Sequence, residues 1–351
     1  MSSRIKKAIL TIAAVVAVLF ITEGLLRLTT PPEFLQSSPR STVWPWVVTD
    51  PILGWANSAG FENNNFRINS QGFRGEEINP VKPTGTIRIV CIGDSGTFGV
   101  WFGARARRNW DSYPEELGTI LKQHGYGNLE VINAGVVGYT SAHTLRQLMT
   151  KVLKLEPDII IARTGFNDIA HLGNEFFRAY YIKEPPGFII GSLMYRWPES
   201  RLVRLAAWLD RKLVSKSVAG DKNVVSHEEF GANLERIIEA SEKRGIDLLF
   251  VDYPLRDSET GLNRQEMYLT NYYGVETLAE FHEKHGGYQE ILSDTARDHG
   301  VDIVDTAGAM KKFAGSSYSE YDFVHPNASG TRIVAYEVYL ALEKLGWLKD
   351  W

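Results

Sequence analysis

The feature that most constrains this chain is a rhythm that begins at Thr86. Short apolar runs rich in β-branched residues alternate with stretches of helical spacing. "IRIVCIG", "LEVINAG", "PDIIIARTG", "IDLLFVDYP" and "VDIVDT" read as strands. Helical spacing covers 113–124, 141–154, 228–244, 288–299 and 328–345. Strands that alternate with helices build a parallel sheet with helices on both faces, and near-continuously apolar strands are those buried on both sides. The expectation is one three-layer α/β/α sandwich around about five strands, occupying residues 85–351. A chain of 351 residues, 44% hydrophobic and 23% charged, can bury such a core.

The N-terminus departs from that rhythm. Arg4, Lys6 and Lys7 precede an uncharged run over 8–21, and "TEGLLRL" extends the helical reading to 28. A helix over 8–28 would span roughly 30 Å, the thickness of a hydrocarbon core. Glu23 and Arg27, four apart, can pair on one face of it. Pro31 and Pro32 end it. No small-x-small cleavage site stands out, so residues 1–30 read as an uncleaved transmembrane anchor in preference to a removed signal peptide. Positive residues stay cytoplasmic, which puts the rest of the chain outside the cytoplasm, in the periplasm or at the cell surface.

Residues 31–84 read as an irregular linker with a small β-hairpin region, with turns at "NSAG", "ENNN" and "NSQG". Its tryptophans, Trp44, Trp46 and Trp55, suit either the edge of a domain or a sugar ring, the former being the commoner use. A second interruption, over about 171–225, carries Leu202, Leu205, Ala206 and Leu209 at helical spacing. It reads as an amphipathic helix packed on the domain, with a lid or a membrane-facing surface as alternatives. The net charge of −4 and the lack of a basic face speak against a nucleic-acid partner. The single cysteine, Cys91, lies inside an apolar run and reads as a buried strand residue.

Ligands of parallel α/β sheets bind beyond the carboxyl ends of the strands, so the residues that follow each strand carry the chemistry. Gly93-Asp94-Ser95 follows the first strand, and "NAGVVGYTS", with Gly135 and Gly138, follows the second. "TGFND" follows the third, and "YDFVHPNASG" precedes the last helix. These pieces make an acyl-transfer set. Ser95 is the candidate nucleophile, His325 the base that takes its proton, and Asp322 the anion that orients the imidazole. The backbone N–H groups of Ser95 and Gly138, with the side-chain amide of Asn167, are the candidate oxyanion donors. Gly135 is the alternative to Gly138. A histidine and an aspartate could also bind a metal, but no third ligand has convincing spacing, His171 being the nearest. No metal and no cofactor is expected.

Together these blocks resemble the SGNH, or GDSL, hydrolase family of esterases and lipases over roughly residues 86–346. That family carries serine in a Gly-Asp-Ser block, a glycine in a second block, asparagine in a Gly-x-Asn-Asp block and histidine in an Asp-x-x-His block. Ser95, Gly138, Asn167 and the pair Asp322 and His325 occupy those places here. The resemblance implies a flavodoxin-like sandwich and a serine esterase acting on carboxylic esters, with an acylated glycan or lipid as substrate. It also implies an alternative. Anchored relatives resemble subunits that acylate or deacylate cell-surface polysaccharide beside a membrane-bound O-acyltransferase, which would be the partner. A catalytically inactive glycan-binding or scaffold domain is a third reading, disfavoured because every catalytic position is filled. One departure stands out: Gly96 follows the serine where leucine or isoleucine is common.

Overall fold

The computed structural model describes residues 3–29, 44–50, 52–100, 112–170, 200–203, 205, 224–256, 273–313, 317–318 and 323–348. The sequence expectations for His171, for Asp322 and for most of 171–225 lie outside these residues. Two compact units are present, Met1–Ala56 with Ile182–Val218, and Asn57–Tyr181 with Ala219–Trp351.

In the smaller unit, α1 (Ser3–Thr29) is one continuous helix. Strands β1 (Val47–Asp50) and β2 (Gly54–Asn57) form a two-stranded sheet. Asp50 shapes the turn between them, its Oδ1 accepting the N–H groups of Ile52 and Leu53 at 2.8 Å. Trp46 and Trp55 are buried, so neither offers a ring face to a sugar. Glu23 pairs with Arg27 at 2.7 Å, as the four-residue spacing predicts. The same carboxylate accepts the amides of Arg201 and Leu202 at 3.0 and 2.9 Å and the Ser200 hydroxyl at 2.9 Å.

The transmembrane reading of 8–28 finds no support in the structure. Among the described residues, no helix is long and apolar enough to cross a membrane. The paired charges of Glu23 and Arg27 sit within the last two turns of α1, and Glu23 is committed to the backbone amides of Arg201 and Leu202. Yet Leu10, Val16, Val18, Leu19, Phe20, Ile21, Leu25 and Leu28 on this helix are exposed.

The larger unit is built on five strands, β3 (Ile87–Gly93), β4 (Leu129–Gly135), β5 (Ile159–Arg163), β6 (Asp247–Val251) and β7 (Asp302–Val304). All neighbours are parallel, in the order β4-β3-β5-β6-β7. That is the doubly wound flavodoxin-like order, with its switch point between β3 and β5. The helices are α2 (Ser95–Phe98), α3 (Tyr113–Gln123), α4 (Ser141–Thr150), α5 (His227–Glu242), α6 (Leu278–His299), α7 (Thr306–Lys311) and α8 (Ala328–Lys344).

Side-chain alternation divides the core between two faces. Ile87, Ile89, Cys91, Ile159, Ile161, Leu249, Val251 and Val304 pack with the apolar residues of α3 and α8. The alternate residues Val90, Ile92, Ile160, Ala162, Leu248 and Phe250, also buried, turn to the other face, where α4, α5 and α6 pack on one another. Burial pushes the Cys91 thiol up to about 12, so it stays protonated and inert.

Two differences from the sequence reading have physical causes. The fourth helix starts ten residues before position 288, because Thr277 caps it and it runs through Gly286 and Gly287. Gly287 is a packing position: a Cβ there would stand 3.1 Å from the His227 ring of α5. Residues 57–84, read as linker, belong to the larger unit. Asn57 donates to the Gly135 carbonyl at 3.0 Å. The buried Arg74 guanidinium donates to the carbonyls of Phe98 and Gly99 at 2.7 and 3.0 Å and pairs with Glu115 at 2.9 Å. This segment therefore braces the turn that carries Ser95.

Candidate active site

Strand β3 ends at Gly93, which pairs with Arg163 of β5 across the switch point. A Cβ on Gly93 would stand 2.1 Å from the Arg163 carbonyl oxygen and 2.5 Å from Thr97 Oγ1, and its φ is +151°. Only glycine fits that exit. Asp94 then caps the four-residue α2, its Oδ1 accepting the Gly96 N–H at 2.9 Å. Gly99, in the left-handed region, closes the turn by donating to the Ser95 carbonyl at 2.9 Å. Ser95 thus sits at the first position of a helical turn whose following N–H groups are taken up by Asp94 and by Ser95's own carbonyl.

His325 reaches the same point from the other end of the chain. Its Nε2 lies 2.8 Å from Ser95 Oγ, across 230 positions of sequence. The loop that carries it is tied down just past the histidine. Asn327 donates from its backbone to Ser317 O at 2.9 Å and from its amide to Tyr318 O at 3.1 Å, then caps α8. Both site residues are nearly enclosed, Ser95 at 6% exposure and His325 at 5%.

Asn167 opens the short turn that follows β5. Its amide donates to Asp94 Oδ2 at 3.1 Å and to the Tyr139 carbonyl at 3.0 Å. It therefore ties together the turns after β3, β4 and β5, and an oxyanion would share a hydrogen already pointed at a protein acceptor. Gly138, with φ of +80°, lies in the turn after β4, one residue before Tyr139. The N–H of Gly135 is already bonded to Asn133 Oδ1 at 2.9 Å, and a Cβ there would stand 2.2 Å from Phe98 N. Gly135 is a packing position against α2, which leaves Gly138 as the second-block candidate donor.

Asp94 is the hub of the arrangement. Burial pushes its carboxyl up, while bonds from the Tyr253 hydroxyl and the Gly96 amide, with the charges of Arg163 and His325, pull it back. Tyr253 and Arg163 were not singled out from sequence. The signal was available, since Arg163 is the last residue of β5 and Tyr253 follows β6 by two, both at carboxyl strand ends.

Next to Asn167, Asp168 is fully buried and accepts the Ser141 amide at 2.9 Å and the Ser141 hydroxyl. Asn233 of α5 donates to that hydroxyl at 2.9 Å. Burial pushes the Asp168 carboxyl up to about 7 against the pull of these donors. A carboxyl whose pKa rises on folding stabilises the fold at low pH and loses that contribution as pH rises from about 4 through about 7. Asp168→Asn is therefore expected to flatten the fall in urea midpoint between pH 4.5 and 7.5 relative to wild type. Parallel slopes for the two proteins would refute this.

Among the described residues, no group of three or more His, Cys, Asp or Glu side chains is placed to hold a metal ion.

Residues 91–333 match the model of the GDSL-like lipase/acylhydrolase family. The chain belongs to that family. A curated relative, the uncharacterized lipoprotein YqeF of Bacillus subtilis (strain 168), is 25% identical over 228 residues, covering 62% of this chain and 69% of its own. A lipase/acylhydrolase from Enterococcus faecalis is 16% identical with a TM-score of 0.47, over 74% of this chain and 96% of that one. Axe2, an acetylxylan esterase from Geobacillus stearothermophilus, is 16% identical with a TM-score of 0.46, over 76% of this chain and 97% of that one.

Proposed function

We propose that the chain is a serine esterase that cleaves carboxylic esters through Ser95 and His325. The observation that carries this reading is the 2.8 Å approach of His325 Nε2 to Ser95 Oγ at the switch point of the sheet. Membership of an acylhydrolase family agrees with it. Ser95 Oγ attacks the acyl carbonyl while His325 Nε2 takes its proton. The oxyanion is met by the N–H groups of Ser95 and Gly138 and by the Asn167 amide. His325 gives the proton to the leaving alcohol, then takes one from the water that attacks the acyl-Ser95 carbonyl and returns it to Ser95 Oγ as the Ser95–acyl bond breaks and the acid leaves. Asp322, three residues before the histidine, is the anion that orients it.

The domain works outside the cytoplasm, held at the membrane by its N-terminal segment. The exposed apolar side chains of α1 and the lipoprotein name of the relative support this. The near-complete burial of Ser95 and His325 gives a second outcome its footing. An acyl-enzyme shielded from water can pass its acyl group to a sugar hydroxyl, beside an O-acyltransferase partner. Incubation with p-nitrophenyl acetate and polysaccharide separates the two. Hydrolysis predicts free acetate with no acetylated sugar, whereas acetylated sugar at the expense of free acetate would replace hydrolysis with transfer. The formation of no free acetate and no acetylated sugar would overturn the esterase reading.

A further inference from the structure

The space that a side chain at position 96 would need is already occupied. A Cβ on Gly96 would stand 2.3 Å from the Tyr253 hydroxyl oxygen, 3.0 Å from Tyr253 Cζ and 3.1 Å from Arg163 Nη1. No side chain fits at 96 while those two residues stand there. Tyr253 does more than fill volume, because its hydroxyl donates to Asp94 Oδ1. Asp94 also accepts the Gly96 amide at 2.9 Å and the Asn167 amide at 3.1 Å. A carboxylate that accepts three donors is held in one orientation, and so are the groups that donate to it.

Arg163 completes the arrangement from beneath. Its guanidinium carbon lies 4.2 Å from the centre of the Tyr253 ring, within cation–π range. Arg163 is 1% exposed, and its Nε and Nη2 are buried with no acceptor among the described residues. Leaving donors of a buried cation unsatisfied is costly, so a merely structural position would be better filled by an apolar residue. What the charge does hold is Tyr253, face-on, and the field at Asp94.

We propose that Tyr253, seated on Arg163, is a positioning residue for the nucleophile turn. It takes the space left at Gly96, and through Asp94 it fixes both that turn and the Asn167 amide. The inference rests on the reading of Ser95 as nucleophile.

The test is a two-by-two set of variants, Tyr253→Phe and Gly96→Ala, alone and together, in the full chain with p-nitrophenyl acetate. Tyr253→Phe keeps the ring and removes the donor. It is expected to lower kcat about 10- to 100-fold, with KM within about twofold, since the lost interaction acts on the transition state. Gly96→Ala meets the Tyr253 hydroxyl, so its cost in kcat is expected to be at least about fivefold smaller in the Tyr253→Phe background, the coupling expected of touching groups. A Tyr253→Phe enzyme with wild-type kcat would overturn the proposal, as would equal costs of Gly96→Ala in both backgrounds. Should Gly96→Ala fold only beside Tyr253→Phe, the shared space is demonstrated directly; should neither alanine variant fold, the kcat and KM of Tyr253→Phe decide. Failure of the underlying reading would look different, as a wild-type protein with no turnover at all.

Discussion

Ser95→Ala is expected to lower the turnover of p-nitrophenyl acetate by about a thousandfold or more, because removing the nucleophile of such a set abolishes the covalent route. The fold should survive. The hydroxyl makes its hydrogen bond to His325, and the change removes a single buried oxygen whose loss costs about 1 kcal/mol. His325→Ala should cost a similar factor. The double variant should be no worse than either single one, since two groups that act as a unit are not additive. Rates and thermal melts of the three variants check this. Singles whose losses multiply in the double variant would mean that the two residues act independently.

Gly93→Ala is expected to be among the most destabilising single methyls in the larger unit. The new Cβ would stand 2.1 Å from a backbone oxygen of the adjoining central strand, which cannot move without breaking the pairing of β3 and β5. We expect a loss of about 3 kcal/mol or more, the upper range for overpacking with an unfavourable φ. Gly118→Ala is the control. It lies inside α3, and its Cβ would meet nothing closer than Val131 at 3.7 Å. A helical glycine in free space gains about 0.5–1 kcal/mol on becoming alanine. Urea midpoints of the two variants should therefore move in opposite directions.

These positions show what could be read from residues alone. The five strands were legible because most are apolar along most of their length, and a strand covered on both faces needs no alternation. Ser95 and His325 were legible because strand ends collect ligands, and that rule placed them together before any geometry was at hand. Residues 57–84 were not. Their polar Asn57 and Arg74 give no sign in the sequence of the partners they reach, carbonyls far along the chain at Gly135, Phe98 and Gly99. The start of α6 was missed for a local reason, two glycines that normally break a helix but here admit the His227 ring. Tyr253 and Arg163 were hidden by their strands, since each closes an apolar run and neither belongs to a recognised block. In the smaller unit, the uncharged run suggested a membrane span. Among the described residues no helix is long and apolar enough to make one, and Glu23 is turned onto the backbone at 201 and 202.

The central claim is that His325 makes Ser95 a nucleophile. Intact-mass analysis after treatment with a fluorophosphonate tests it most directly, because the reagent is attacked by an activated serine oxygen as fluoride leaves. One adduct is expected on the wild type, mapped to the peptide that carries Ser95, and none on Ser95→Ala or His325→Ala. An unlabelled wild type, or an adduct that persists in Ser95→Ala, would contradict it.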